Sequence, residues 1–264
     1  MLDYQNIKSQ FKQQGYTIIP QLFELEELDR LVIICDRAMA RRRSEYLKTH
    51  ASFPKKNCSV PEQISHFSDR SEVINFLQNK LADERILAIL NCICDRQLLF
   101  HGLVYFFNPE ELSWHGDWHR DGQVNADNDD IEKSRIFSSD FIRIHLAFIA
   151  DNNLEIVAGS HARWDNPQEL EIRKELNGNS NCSDLMPSAT RINLQPGDAV
   201  IFDGYAIHRG NYIAERSRKT LAILYSSPVA WEKPIPNCLS EPNLLNNLLP
   251  QKRAIFANNR VQKF

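Results

Sequence analysis

The segment Trp114-His115-Gly116-Asp117-Trp118-His119-Arg120-Asp121-Gly122 carries two imidazole and carboxylate pairs at the same spacing, His115 with Asp117 and His119 with Asp121. Residues two apart point the same way from an extended strand, because side chains alternate faces with a period of two. A second imidazole from a distant part of the chain would complete three ligands on one face of an octahedron. His208 is a candidate to supply it. Two neutral nitrogens and one hard oxygen suit Fe(II), and the positions left open admit a co-substrate and O2. Spacing alone does not choose between the two pairs.

Gln195-Pro196-Gly197-Asp198-Ala199-Val200-Ile201-Phe202-Asp203 reads as a turn followed by a strand, with His208 just beyond it. Further on come Arg218 and Thr220, which share one face of a strand over residues 217–226. A guanidinium fork beside a hydroxyl is what the distal carboxylate of a buried dicarboxylate requires, since Arg gives two parallel charge-assisted bonds. A surface salt bridge is the bland alternative for Arg218. Along residues 141–149, Arg143 and His145 share one face, while Ile142, Ile144, Leu146 and Phe148 share the other. If the apolar face packs outward, Arg143 and His145 line an interior where unpaired charge is costly unless a ligand or a carboxylate meets it. They are substrate candidates, together with Arg163, and a structural salt bridge for Arg143 stays open. Tyr105 is placed either to reach a co-substrate or to pack as a core aromatic. His161 reads as a structural or mouth-facing residue, His50 and His66 as solvated, and His101 as core.

The elements that must position these groups fall into two textures. Leu25, Leu28, Leu31, Val32 and Cys35 recur at helical spacing, as do Val73, Ile74, Leu77 and Leu81, then Ile86, Leu87, Leu90 and Ile93, with Asp83 as an N-cap. From Gln97 onward the segments 98–107, 141–150, 190–194, 198–203 and 217–226 are short, rich in β-branched and aromatic residues, and bounded by turn formers. The chain therefore reads as one domain, with a helical front over 1–96, a β core over about 97–230 and a tail over 231–264. Neither βαβ alternation nor a Gly-rich phosphate loop is present, which excludes a doubly wound dinucleotide fold. Two polar stretches, 124–140 and 163–188, interrupt the strands. Loops of that length are expected to be a mobile cover over the site or surface insertions.

The 264 residues, 42% hydrophobic and 25% charged, exclude a fibre and a disordered tail. A formal net charge of -3 leaves no basic field to recruit nucleic acid or acidic membranes. Six cysteines occur with no CxxC pair, so reduced thiols are expected. No stretch approaches the roughly 20 apolar residues of a membrane span, and residues 1–14 have no apolar run that would make a signal peptide. A soluble, cytoplasmic protein with a small-molecule partner is expected. No pattern in the chain specifies an oligomeric state.

The motifs together resemble the phytanoyl-CoA dioxygenase family of Fe(II)/2-oxoglutarate oxygenases. The resemblance begins at Gly15-Tyr16-Thr17-Ile18-Ile19-Pro20 with Leu22-Phe23, and continues through Trp118-His119-Arg120-Asp121-Gly122 and Ile156-Val157-Ala158-Gly159-Ser160-His161. It then takes in Pro196 to His208 and closes with Arg218-Lys219, in the family's order over most of the chain. It implies metal ligands His119, Asp121 and His208, with Arg218 gripping the C5 carboxylate of 2-oxoglutarate and Thr220 assisting. It also implies a double-stranded β-helix, a cupin-like jelly roll that is mainly β with flanking helices, and hydroxylation of an unactivated carbon using Fe(II), 2-oxoglutarate and O2. Glu155 departs from the family pattern, standing where an apolar or small residue is usual. Halogenating relatives replace the carboxylate ligand with Gly or Ala, which Asp121 argues against. The competing readings are a non-catalytic barrel that binds a ligand without turnover and an oxygenase of an acyl-CoA thioester. A thioester's phosphates would want a basic entrance, and Arg163, Arg173 and Lys174 are offset by Glu169, Glu171 and Glu175.

Overall fold

Helices form where apolar residues recur every three or four positions in the first hundred residues: Tyr4–Gln14 (α1), Leu25–Tyr46 (α2), Val60–Ile64 (α3), Arg70–Leu81 (α4) and Glu84–Ile93 (α5). The starts are chemically marked. Glu24 and Glu27 close a capping box on α2, and the Asp83 carboxylate accepts the Arg85 backbone N–H at 3.0 Å to open α5. The architecture is that of a computed structural model describing residues 2–53, 56–123, 126, 128–138, 140–227 and 238–256.

The strands are Tyr16–Ile19 (β1), Asn57–Ser59 (β2), Leu99–Phe106 (β3), Trp114–His115 (β4), Phe141–Ala147 (β5), Leu154–Val157 (β6), Ala189–Arg191 (β7), Ala199–Asp203 (β8), His208–Tyr212 (β9) and Thr220–Ser226 (β10). They make two antiparallel sheets, one in the order β1-β8-β5-β10-β3-β2 and one in the order β4-β9-β6-β7. With helices flanking them, this is the expected cupin-like jelly roll. The β core nevertheless begins well before residue 97, because β1 and β2, embedded in the helical front, complete the larger sheet.

That sheet buries one face under the helices. Ile142, Ile144 and Leu146 of β5, Leu221 and Ile223 of β10, and Leu103 and Tyr105 of β3 form a continuous core with Leu31, Ile34, Leu77 and Ile89 of the helices. The alternate residues face the smaller sheet. On β3 the alternation breaks once: Leu224 pairs with Gly102 but Tyr225 pairs with Phe100, so His101 is an extra, bulged residue. Part of the tail returns to the core, with Leu239 and Phe256 almost wholly buried. Its residues 231–237 and 257–264, and residues 228–230 of the expected β core, lie outside the described residues.

The two polar stretches are not plain loops. They carry helices Asp129–Ser138 (α6) and Pro167–Arg173 (α7), although Val124, Asn125, Asp127 and Ser139 lie outside the described residues. Arg173 of α7 donates to Glu132 of α6 at 2.7 Å and to Asp165 at 2.7 Å, all with side chains 0–1% exposed. Among the described residues these stretches are joined by buried ion pairs, a tie that bears on whether they act as a mobile cover or as surface insertions.

A candidate metal centre between the two sheets

His119 and His208 meet across a short antiparallel bridge, each backbone N–H donating to the other's carbonyl at 3.0 and 2.9 Å. Their rings lie 4.3 Å apart, centroid to centroid. Asp121 follows two residues on, at the start of a one-turn 3-10 segment. The extended-strand geometry anticipated for the pair thus ends at the carboxylate, whose backbone N–H is held by the Gly204 carbonyl at 2.8 Å. Gly204 is required here, since a Cβ on it would come within 2.4 Å of Asp121 Oδ2. One ligand atom from each of His119, Asp121 and His208 lies within 4.8 Å of the others. His115, by contrast, is turned away and bonded to the exposed Asp184 at 2.8 Å.

Each imidazole is oriented by its backbone. Nδ1 of His119 donates to the Asp117 carbonyl at 2.7 Å and Nδ1 of His208 to that of Ala206 at 2.9 Å. Both Nε2 atoms are thereby left as acceptors, the form that binds a metal. Burial pushes His208 down to about 3, with His119 adding to the effect, and burial also lowers His119, so both rings are neutral near pH 7. Burial alone would raise the Asp121 carboxyl, but Arg143 and the two imidazoles outweigh it and hold it below the usual range. Arg143 forks onto Asp121 through Nε and Nη2, both at 2.5 Å. Its charge meets a carboxylate, as an interior arginine requires.

The cluster opens on a cavity of about 260 Å³ between the sheets, lined by Val104, Phe106, Arg143, His145, Tyr212 and Arg218 among others. Arg218 stands at its far wall, bonded to Asp151 at 3.1 Å and Thr220 at 3.4 Å. Thr220 also donates to the Asp151 carboxylate. Asp151 bounds the strand segment 141–150 as a turn former, and nothing in that position signals a pairing with Arg218, 67 residues on. Of the buried side chains with polar atoms that lack a hydrogen-bond partner among the described residues, three stand together here, through Nε2 of His208, both ring nitrogens of His145, and Nη1 of Arg218. All three residues line this cavity. A divalent metal at the cluster and a dicarboxylate reaching Arg218 fit these atoms.

Two candidates are placed elsewhere. Tyr105 faces the outer core and donates its hydroxyl to Asp36 at 2.8 Å, because the alternation along β3 sends Val104 and Phe106 into the cavity instead. Arg163 forks onto Glu169 at 2.6 and 2.7 Å, beside the capping box that opens α7, and does not line the cavity. His101, expected in the core, is brought by the bulge to the cavity side of β3, edge-on to Phe141 at 5.4 Å. Arg120, between the two cluster residues, is wholly buried and was overlooked. Its guanidinium bonds Asp165 at 2.6 Å and the carbonyls of Ser160 and Tyr205.

Comparison with known proteins agrees with this architecture. The ectoine dioxygenase of Stutzerimonas stutzeri (strain A1501) is 24% identical, over 88% of this chain and 82% of its own. The structure of EctD from S. alaskensis with 2-oxoglutarate and 5-hydroxyectoine superposes with a TM-score of 0.60 at 15% identity, covering 89% of this chain and 82% of that one. The non-heme alpha ketoglutarate dependent epimerase SnoN from nogalamycin biosynthesis gives a TM-score of 0.59 at 13% identity, covering 89% and 91%. The family model for phytanoyl-CoA dioxygenase matches residues 11–219, from α1 to Lys219, directly before β10. The chain belongs to the phytanoyl-CoA dioxygenase family of iron- and 2-oxoglutarate-dependent oxygenases.

Proposed function

We propose that this chain hydroxylates an unactivated carbon of a small organic molecule, with Fe(II) held by His119, Asp121 and His208 and 2-oxoglutarate anchored at Arg218. The observation that carries the reading is the set of unpartnered polar atoms in one cavity: His208 Nε2 at the cluster and Arg218 Nη1 across from it. When bound, the metal supplies the activation of O2 that no side chain can perform. The rest is positioning. Asp117 and Ala206 fix the tautomers of the imidazoles, Arg143 keeps Asp121 ionised, and Thr220 with Asp151 aims the Arg218 fork. A 2-oxoglutarate carboxylate arriving at Arg218 would share that guanidinium with Asp151 and accept from Nη1. His145 lies between the two ends, neutral because burial drives its pKa well below the ordinary value, and offers a donor and an acceptor to whatever spans them.

A small substrate is supported by the relatives, whose names or bound molecules are ectoine, 5-hydroxyectoine and nogalamycin. The test is succinate release from 2-oxoglutarate with Fe(II), combined with a screen for substrates that gain the mass of one oxygen atom. Succinate without any oxygenated product across a broad panel, or a product altered in stereochemistry alone, would overturn the hydroxylation. Absence of 2-oxoglutarate binding would return the chain to the non-catalytic reading.

A further inference from the structure

A second cavity, of about 490 Å³, adjoins the metal cavity on the side away from Arg218. The two share Val104 of β3 and Leu224 of β10 as a common wall. The larger one is otherwise bounded by Pro61, Leu103 and Cys238, with Ser65, His66 and Glu62 towards its rim. Two features of β3 shape it. Gly102, paired with Leu224, leaves open space where a side chain would stand, with nothing within 4 Å of the position of its Cβ. The bulge at His101 then turns an imidazole into the same cavity, where it feels both Arg143 and Asp121 and is thus close to the metal cluster. Bulges beside active sites commonly re-aim a side chain in this way.

The chemistry of the lining selects the occupant. No Lys or Arg lines this cavity among the described residues, and its one carboxylate, Glu62, is held loosely by Arg42 at 3.7 Å. An anion would lose its hydration there without a counter-charge, whereas an apolar body gains from the burial. The phosphates of an acyl-CoA would meet Glu62 at the rim. We propose that this cavity holds the substrate, an uncharged and largely apolar small molecule, that Gly102 limits how bulky it can be, and that His101 meets its polar group.

The inference rests on the reading of the metal and 2-oxoglutarate site, so the experiment reads the two separately. The protein is loaded with zinc and 2-oxoglutarate, which is redox-silent. Saturation-transfer NMR then follows three neutral probes, cyclohexanecarboxamide, benzyl alcohol and hexanamide, against the anion cyclohexanecarboxylate. The neutral probes should bind, and the anion should not. Gly102→Val should weaken them at least tenfold while 2-oxoglutarate binds as before, and His101→Phe should weaken the carboxamides more than benzyl alcohol. Should Gly102→Val not fold, Ser65→Leu narrows the cavity from its rim with the same expectation. Preferential binding of the anion, no binding of any neutral probe, or affinities indifferent to both cavity-filling variants would overturn the inference. Failure of the wild-type protein to bind zinc and 2-oxoglutarate would instead overturn the reading beneath it.

Discussion

Asp121 stands in the candidate metal cluster and pairs with Arg143 at once, which makes its removal doubly informative. Asp121→Ala should abolish turnover by deleting the one oxygen donor. It should also destabilise the fold, by less than the roughly 3 to 5 kcal/mol of a broken fully buried pair, because it strands a guanidinium that is partly exposed to the cavity. Adding Arg143→Leu should recover much of that stability without restoring turnover, and chemical denaturation of the two variants separates the effects. The paired change His115→Ala with Asp117→Ala should leave metal affinity intact, since His115 is engaged with Asp184 outside the cluster. Loss of metal in that double variant, with full activity in Asp121→Ala, would reverse the choice between the motifs. Arg218→Leu should raise the KM for 2-oxoglutarate by a margin corresponding to roughly 2 to 5 kcal/mol, as for other truncated buried charge pairs. Lys219→Ala, which breaks only a half-exposed pair with Asp36, should shift neither KM nor stability by more than about 1 kcal/mol.

Among the elements, the turn between His119 and Asp121 is fixed from behind by Arg120, which ties it through Asp165 to Arg173 on α7 and through Glu132 to α6. Arg120→Lys keeps the charge but loses the fork. It should weaken metal binding about 10- to 100-fold, the usual effect of disturbing a ligand's supporting shell, while 2-oxoglutarate affinity at saturating metal is unchanged. Limited proteolysis of the ligand-free protein should spare α6 and α7, and Glu132→Gln should expose them. Rapid cleavage of both helices in the unaltered protein would instead support a mobile cover. The helices α2, α4 and α5 were legible because each buries one face and so carries a period, and the five β segments from Gln97 onward because they are short runs rich in β-branched and aromatic residues between turn formers. The bulge at His101 was not, for a one-residue slip leaves no compositional trace yet exchanges the faces of everything before it. That slip accounts for His101. Tyr105 failed for a different reason: periodicity gives two faces without saying which one meets the helices. Arg120 depends on Asp165, 45 residues away, and long-range ion pairing is invisible to local spacing, whereas the partner of Arg163 is Glu169, one of the acidic residues the sequence already sets against it.

For the whole molecule, the distribution of neutral imidazoles makes stability depend on pH in a definite direction. His101, His119, His145, His161 and His208, five of the eight histidines, are shifted down in the folded chain chiefly by burial, His101 to about 4 and His208 to about 3. In the unfolded chain each titrates near 6.5. Between roughly pH 6.5 and 4 the unfolded state therefore binds up to five more protons at these sites, and stability must rise with pH across that window. The stability each histidine contributes is complete above its unfolded value and is lost as the pH falls towards its folded one. Asp203 works the other way: burial raises it to about 7, so the folded state retains a proton that the unfolded state releases above about 4. Asp140, also raised by burial, adds a smaller term of the same sign. Two carboxyls against five imidazoles leaves the net slope positive. Thermal unfolding of the metal-free protein, stepped from about pH 7 down to about pH 5, should show the midpoint falling throughout. The carboxylates held down by arginines, Asp121 and Asp151, enter only below about pH 4 and so do not confuse the window. A midpoint that stays flat or climbs on acidification would mean that the imidazoles take up protons in the folded state, and the neutral, metal-ready form of His119 and His208 would fall with it.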